Sequence, residues 1–168
     1  MPLLDILQPP HPTLKRPAAP VDRVDDALLR LMDDMLATMY EAPGIGLAAP
    51  QVDIGKRLVV IDTSEEKDQP IRLINPSVTW RSDETEIPEE GCLSLPGQFA
   101  EIKRPAAVRV RYLDERESER EIEAEGLLAR CLQHEIDHLD GILFVDHLSS
   151  LKRNMILRRL AKQRRVKA

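Results

Sequence analysis

Apolar residues at Val24, Leu28, Leu31, Met32, Met35, Leu36 and Met39 recur with a helical period. They predict an amphipathic helix that buries one face. Asp22 is placed to cap its start, and Pro43-Gly44 to stop it. The methionines of this stripe read as core. The run RLVVID (57–62) predicts a buried strand and IRLINP (71–76) a second. Residues 107–113, AVRVRYL, alternate apolar and charged, so that strand should have one wet face. REIEAEG (120–126) predicts a shorter one. From Leu127 to Asp140 the pattern is helical again, with Gly141 as the C-terminal cap. Its apolar residues spread widely around the axis, which places this helix centrally. A last helix, roughly 148–165, puts Leu148, Leu151, Met155 and Leu160 on one side. Strands without regular βαβ alternation predict an α+β fold.

The chain has 168 residues, 42% hydrophobic, without internal repeats or a linker, so one domain is expected. That apolar fraction excludes a disordered chain, and no apolar run approaches the ~20 residues of a membrane helix. Asp5 and the early prolines argue against a secretory signal. Two cysteines, Cys92 and Cys131, exclude a disulfide scaffold and predict a reducing, cytoplasmic setting. The net charge of −5 hides an asymmetry. Eight of the 24 basic residues follow Asp146 with no acidic residue among them, leaving 16 against 29 acidic ones in the body. A tail of +8 beside a body of −13 suggests an anionic partner; a solvated helix end is the alternative.

His134 and His138 are spaced i, i+4 within His134-Glu135-Ile136-Asp137-His138. On a helix this stacks both imidazoles on one face, where both can bind one metal. Glu135 lies about 100° round, too far to be a third ligand on that face but able to reach a metal-held water. Two packed core histidines are the alternative. Cys92, in the turn-rich stretch Glu89-Glu90-Gly91-Cys92-Leu93-Ser94-Leu95-Pro96-Gly97, is the candidate third ligand. One thiolate and two imidazoles would leave a fourth tetrahedral position for water. A closed structural site needs a fourth side chain, which neither Cys131 nor His147 is obviously placed to provide. Cys131 reads as a packed residue. A Cys92–His134 nucleophilic pair would leave His138 and Glu135 without a role.

Gly44-Ile45-Gly46-Leu47-Ala48-Ala49-Pro50-Gln51 matches G-x-G-x-x-A, and Asp62 follows at nearly the dinucleotide spacing. A helix precedes the glycines where a strand is required, and Pro50 sits where the phosphate-binding helix should run, so the nucleotide reading fails. Small residues instead let backbone approach a substrate, and Gln51 offers an amide N–H to a developing oxyanion.

GIGLAAPQ, EGCLS and QHEIDHLDG, in this order and at roughly these separations, resemble the three signature motifs of the peptide deformylase family. The resemblance extends through ILQPPHPTLKRPAAPV, the strand region and the basic C-terminal helix. It implies an α+β fold of antiparallel sheets packed around a central metal-binding helix, with a C-terminal basic helix about 148–165. It makes residues 1–168 one catalytic domain that removes the formyl group from the N-terminal methionine of nascent polypeptides. Carried over by motif, Cys92, His134 and His138 bind the metal, and Glu135 is the general acid/base. Gln51 and the backbone N–H of Leu93 stabilise the oxyanion, while Gly46 pairs with substrate backbone. The implied ion is Fe2+, replaceable by Zn2+, Ni2+ or Co2+; the ligand set alone suggests zinc. The tail would dock on ribosomal RNA, with a buried structural helix as the alternative. Arg130 departs from the family pattern, which has an apolar residue here lining the methionine pocket. A guanidinium there could close part of the pocket, turn outward, or pair with an acid. Two other readings remain. A silent metal-stabilised module predicts a closed site, and a general metallopeptidase predicts a downstream third ligand.

Overall fold

Helix α1 (Asp26–Glu41) forms where the first apolar stripe predicts it, in a computed structural model that describes residues 2–167. Its cap is Asp25, whose Oδ1 accepts from the Leu28 N–H at 2.9 Å; Asp22 lies outside. Val24 precedes the helix yet packs into the same apolar cluster, which is why the stripe began before the helix did. Leu28, Met32, Met35, Leu36 and Met39 are buried. Fully burying such a side chain is worth ~1.5–3 kcal/mol, well above the few tenths that helix propensity supplies, so packing fixes α1. The helix stops at Pro43, which has no N–H to continue it.

Among the described residues nine strands form three sheets. They are β1 (Gly46–Ala48), β2 (Leu58–Ile61), β3 (Ile71–Arg81), β4 (Thr85–Glu86), β5 (Glu89–Cys92), β6 (Leu95–Glu101), β7 (Arg104–Pro105), β8 (Ala107–Leu113) and β9 (Glu119–Glu125). The main sheet has the order β1-β2-β3-β8-β9, with every neighbour antiparallel. β5 pairs with β6 and β4 with β7. β2 is buried throughout because both its faces are covered. Leu58 and Val60 pack in the cluster of α1, and Val59 and Ile61 in a second cluster with Leu132, Ile136 and Leu139. β8 buries Val108 and Val110 and turns Arg111 to solvent, as its alternation predicts. β9 is as long as β8 and pairs with it throughout, rather than being a shorter strand. β3 runs past the predicted end because irregularities at Ile74/Ser77 and Val78/Trp80 let it continue beyond Pro76.

Helix α2 (Gly126–Leu139) carries the second cluster and is central, as its apolar spread predicts. Gly141 follows it with φ +76°, where a Cβ would meet the Lys15 carbonyl oxygen at 2.6 Å. Leu139 O accepts from Ala18 N–H at 2.7 Å and from the Arg57 guanidinium at 3.1 Å, closing the end of the helix. Helix α3 (Ser150–Lys167) differs from expectation in phase. Ile156 and Leu160, one turn apart, seat it on Leu95, Ile102 and Phe144. Leu148 packs before the helix begins, while Leu151 and Met155 are 73% and 49% exposed. A stripe this sparse cannot phase a helix by spacing alone.

Candidate active site

Three segments meet around α2. Cys92 ends β5, His134 and His138 lie one turn apart on the helix, and the ligand-capable atoms of the three all fall within 4.8 Å of one another. Cys92 Sγ is 3.3 Å from His138 Nε2, and the two imidazoles stand at 72° with centroids 5.0 Å apart. Tetrahedral coordination at ~2.3 Å for sulfur and ~2.1 Å for nitrogen separates such atoms by about 3.6 Å. The donor set therefore fits one divalent transition metal, and among the described residues no fourth Cys, His or carboxylate joins it. The closed structural site is thus not what the geometry offers.

The stretch around Cys92, read from sequence as turns, is a β5–β6 hairpin with a tight reversal between Cys92 and Leu95. The hairpin brings Glu90 under the helix, where its Oε1 meets His134 Nδ1 at 3.0 Å, leaving Nε2 for a metal. Arg104 grips Glu90 through two nitrogens, one at 2.8 Å, and reaches Asp137 at 3.0 Å. Asp137 in turn meets His147 at 2.8 Å, so His147 belongs to this outer network and not to the donor set. Burial works against a charged Glu90, but its bonds from Arg104 and His134 bring its carboxyl down to about 2. Glu90, Arg104 and Asp137 received no role from the sequence. The one available sign was an acidic residue two positions before Cys92.

Glu135 is 4% exposed; its Oε2 stands 3.9 Å from His134 Nε2, and among the described residues its Oε1 has no hydrogen-bond partner. Burial above all, with Glu90 nearby, lifts its carboxyl to about 7. Gly46 makes this position available: a Cβ there would lie 2.6 Å from Glu135 Oε2 and 2.8 Å from Cys131 Sγ. Gln51, in the turn after β1, is buried and oriented at both ends. Its Oε1 accepts from Ala48 N–H at 2.9 Å, and its Nε2 donates to Ser94 Oγ at 3.1 Å and lies 3.5 Å from Cys92 Sγ. Ser94 is a further residue that sequence reasoning left without a role. Leu93 sits in the β5–β6 reversal and lines the site cavity. Cys131 is packed, and burial raises its thiol well above the ordinary value, as expected of a core residue. Asp62 accepts from Tyr40, Ser64 and Gln69, a structural task that replaces the ribose contact of the rejected nucleotide reading.

A cavity of about 640 Å3 opens onto Cys92, His134 and Glu135, walled by Ile45, Gly46, Leu93 and Leu127. Arg130 also lines it. Its Nε turns back to the Gly126 carbonyl at 3.4 Å, and among the described residues it makes no ion pair. Of the three alternatives, pairing with an acid is therefore not found, and the side chain forms part of the wall.

Comparison with known proteins agrees with this arrangement. The family model described as polypeptide deformylase matches residues 3–154. A peptide deformylase of Rhizobium meliloti is 54% identical over 155 residues, covering 91% of this chain and 89% of that protein. Peptide deformylase 2 of Xanthomonas campestris pv. campestris is 55% identical over 168 residues, 98% of each chain. The crystal structure of peptide deformylase from Ehrlichia chaffeensis superposes with a TM-score of 0.95 at 40% identity, covering 99% of both chains. The same enzyme in complex with actinonin gives 0.93 at 41%, over 97% of this chain and 98% of that one. With the fold and these matches in hand, the chain belongs to the polypeptide deformylase family.

Proposed function

We propose that this protein is a metal-dependent hydrolase that removes the N-formyl group from the N-terminal methionine of nascent polypeptides, releasing formate. Residues 1–168 act as one catalytic domain. The observation that carries the reading is a buried Glu135 carboxylate beside a Cys/His/His donor set; among the described residues one of its oxygens has no partner and the set has no fourth protein ligand.

Cys92, His134 and His138 would hold the ion, which we assign as Fe2+ with Zn2+, Ni2+ or Co2+ as substitutes. When bound, it supplies Lewis acidity and lowers the pKa of its water toward ~7. Glu135 takes the proton as water oxygen bonds to the formyl carbon. Gln51 Nε2 and the Leu93 N–H donate to the oxygen that gains charge; losing one such donor typically costs ~10²–10³-fold. Gly46 pairs with the substrate backbone. When the C–N bond breaks, Glu135 returns the proton to the methionine nitrogen, giving a free amine and formate. The network from Glu90 to Asp137 fixes the His134 ring while this occurs.

Formate release from formyl-Met peptides by wild type and Glu135→Gln, each with metal content measured, tests the reading. The variant should keep one ion per chain and lose ~10²–10⁴-fold in rate; equal rates would refute it. We assign the enzyme to the cytoplasm. Among the described residues no helix is long and apolar enough to cross a membrane. We further assign α3, with its excess of cations, to docking on ribosomal RNA. Binding should fall steeply with salt, and co-sedimentation with ribosomes that survives deletion of residues 150–168 would refute it.

A further inference from the structure

A second groove, about 490 Å3, lies between α3 and the β5–β6 hairpin. Pro96 and Gly97 border both this groove and the catalytic cavity, so the two are neighbours across a shared rim. Its far wall carries Arg159 and Lys162, three apart on the helix and both exposed. Among the described residues neither makes an ion pair. The groove is held in shape. Ile156 and Leu160 anchor α3 to Leu95 of the hairpin, and the Arg164 guanidinium donates to the Pro9 carbonyl. Gln163 lies against Gly97, whose φ of +76° keeps the rim turned.

We infer that this groove is a subsite for the downstream part of the peptide substrate, and that Arg159 and Lys162 select acidic side chains there. The inference rests on the deformylase reading: with the formyl group beside Glu135, a peptide longer than the cavity must leave it, and the Pro96–Gly97 rim leads onto two cations with no partner of their own. Charge complementarity then favours Asp or Glu in the peptide. An RNA strand would meet the same cations but has no reason to extend into the catalytic cavity. The rim shared with the catalytic cavity therefore favours peptide.

The test uses full-length, metal-loaded enzyme and formyl-Met hexapeptides that carry a single Glu moved through positions two to six, with an all-neutral peptide as reference. At low salt, kcat/KM should rise by roughly 3- to 10-fold at one or two matched positions, through KM, and the gain should vanish at high salt. Arg159→Ala/Lys162→Ala should abolish the gain, so that this variant turns over acidic and neutral peptides with equal kcat/KM. Arg158→Ala/Arg165→Ala removes equal charge from residues that do not line the groove, and should retain it. A gain at no position, or an equal loss in both double variants, overturns the inference. So does a groove variant that weakens ribosome binding yet keeps the acidic preference. Absence of formate from every peptide, the neutral one included, would instead overturn the deformylase reading itself.

Discussion

Adding one methyl group at Gly46 is the sharpest probe of how the Glu135 carboxyl group, the proposed acid/base, is positioned. In Gly46→Ala the new Cβ would lie 2.6 Å from Glu135 Oε2, 2.8 Å from Cys131 Sγ and 2.9 Å from Glu135 Cγ. Contacts under 3.0 Å are essentially never tolerated, and ordinary contact begins at 3.4 Å. The carboxylate must therefore retreat by 0.4 Å to escape overlap and 0.8 Å to reach comfort. It cannot do so freely, because Glu135 is buried and Cys131 blocks the same space. A misplacement of about 1 Å at a reacting group costs ~10²-fold, and forcing one methyl into a filled core costs ~1–3 kcal/mol. We expect Gly46→Ala to lose ~30- to 100-fold in kcat for formate release, with KM changed far less because the backbone of this strand keeps its hydrogen-bonding groups. A urea transition shifted by no more than that packing cost shows that the fold survives. Gly55→Ala, with nothing within 4 Å of the added Cβ, is the control and should leave both quantities unchanged. A folded Gly46→Ala enzyme with wild-type kcat would refute the claim that Gly46 sets the position of Glu135.

Arg104→Met removes the cation shared by Glu90 and Asp137, and breaking so buried a pair should cost ~3–5 kcal/mol in urea unfolding; Arg109→Met, which breaks an exposed pair, should cost under ~1 kcal/mol. Ser94→Ala takes away the acceptor that aims Gln51 Nε2, and should lower kcat by ~10-fold with metal content intact, as steady-state kinetics beside metal analysis would show. Tyr40 has its pKa raised to about 12 by burial and by its hydrogen bond to Asp62. Folding then favours the protonated phenol, so its contribution is complete below about pH 10 and is lost as pH climbs through 12. Thermal melts from pH 9 to 12 should fall less steeply in Tyr40→Phe than in wild type.

The convergence of Cys92, His134 and His138 was legible because the two histidines sit about one helical turn apart and the cysteine in a short motif. The strands 58–61 and 107–113 were legible from burial on both faces and on one face, respectively. The network behind His134 was not. Glu90, Arg104 and Asp137 come from β5, β7 and α2, and only the folded hairpin brings them together. The hairpin itself hid behind its glycines, since strands of four and seven residues joined by a tight reversal look like a chain of turns. For α3 the reason is different. Its apolar residues are few, so Leu151 and Met155 imitated a buried face that Ile156 and Leu160 actually form.

The closure of α2 by Ala18 and Arg57 has a consequence for the order in which the molecule is made. A ribosome releases Ala18 long before Leu139, so one partner of that bond waits through most of translation for the other. Gln51 and Cys92 likewise emerge ahead of both histidines. Because these contacts join early segments to a late one, the Cys92, His134 and His138 donor set cannot come together before α2 has been made. A chain interrupted before His134 thus lacks both imidazoles and Glu135, and an enzyme whose task is to process new proteins has no working form of its own until most of it has been made.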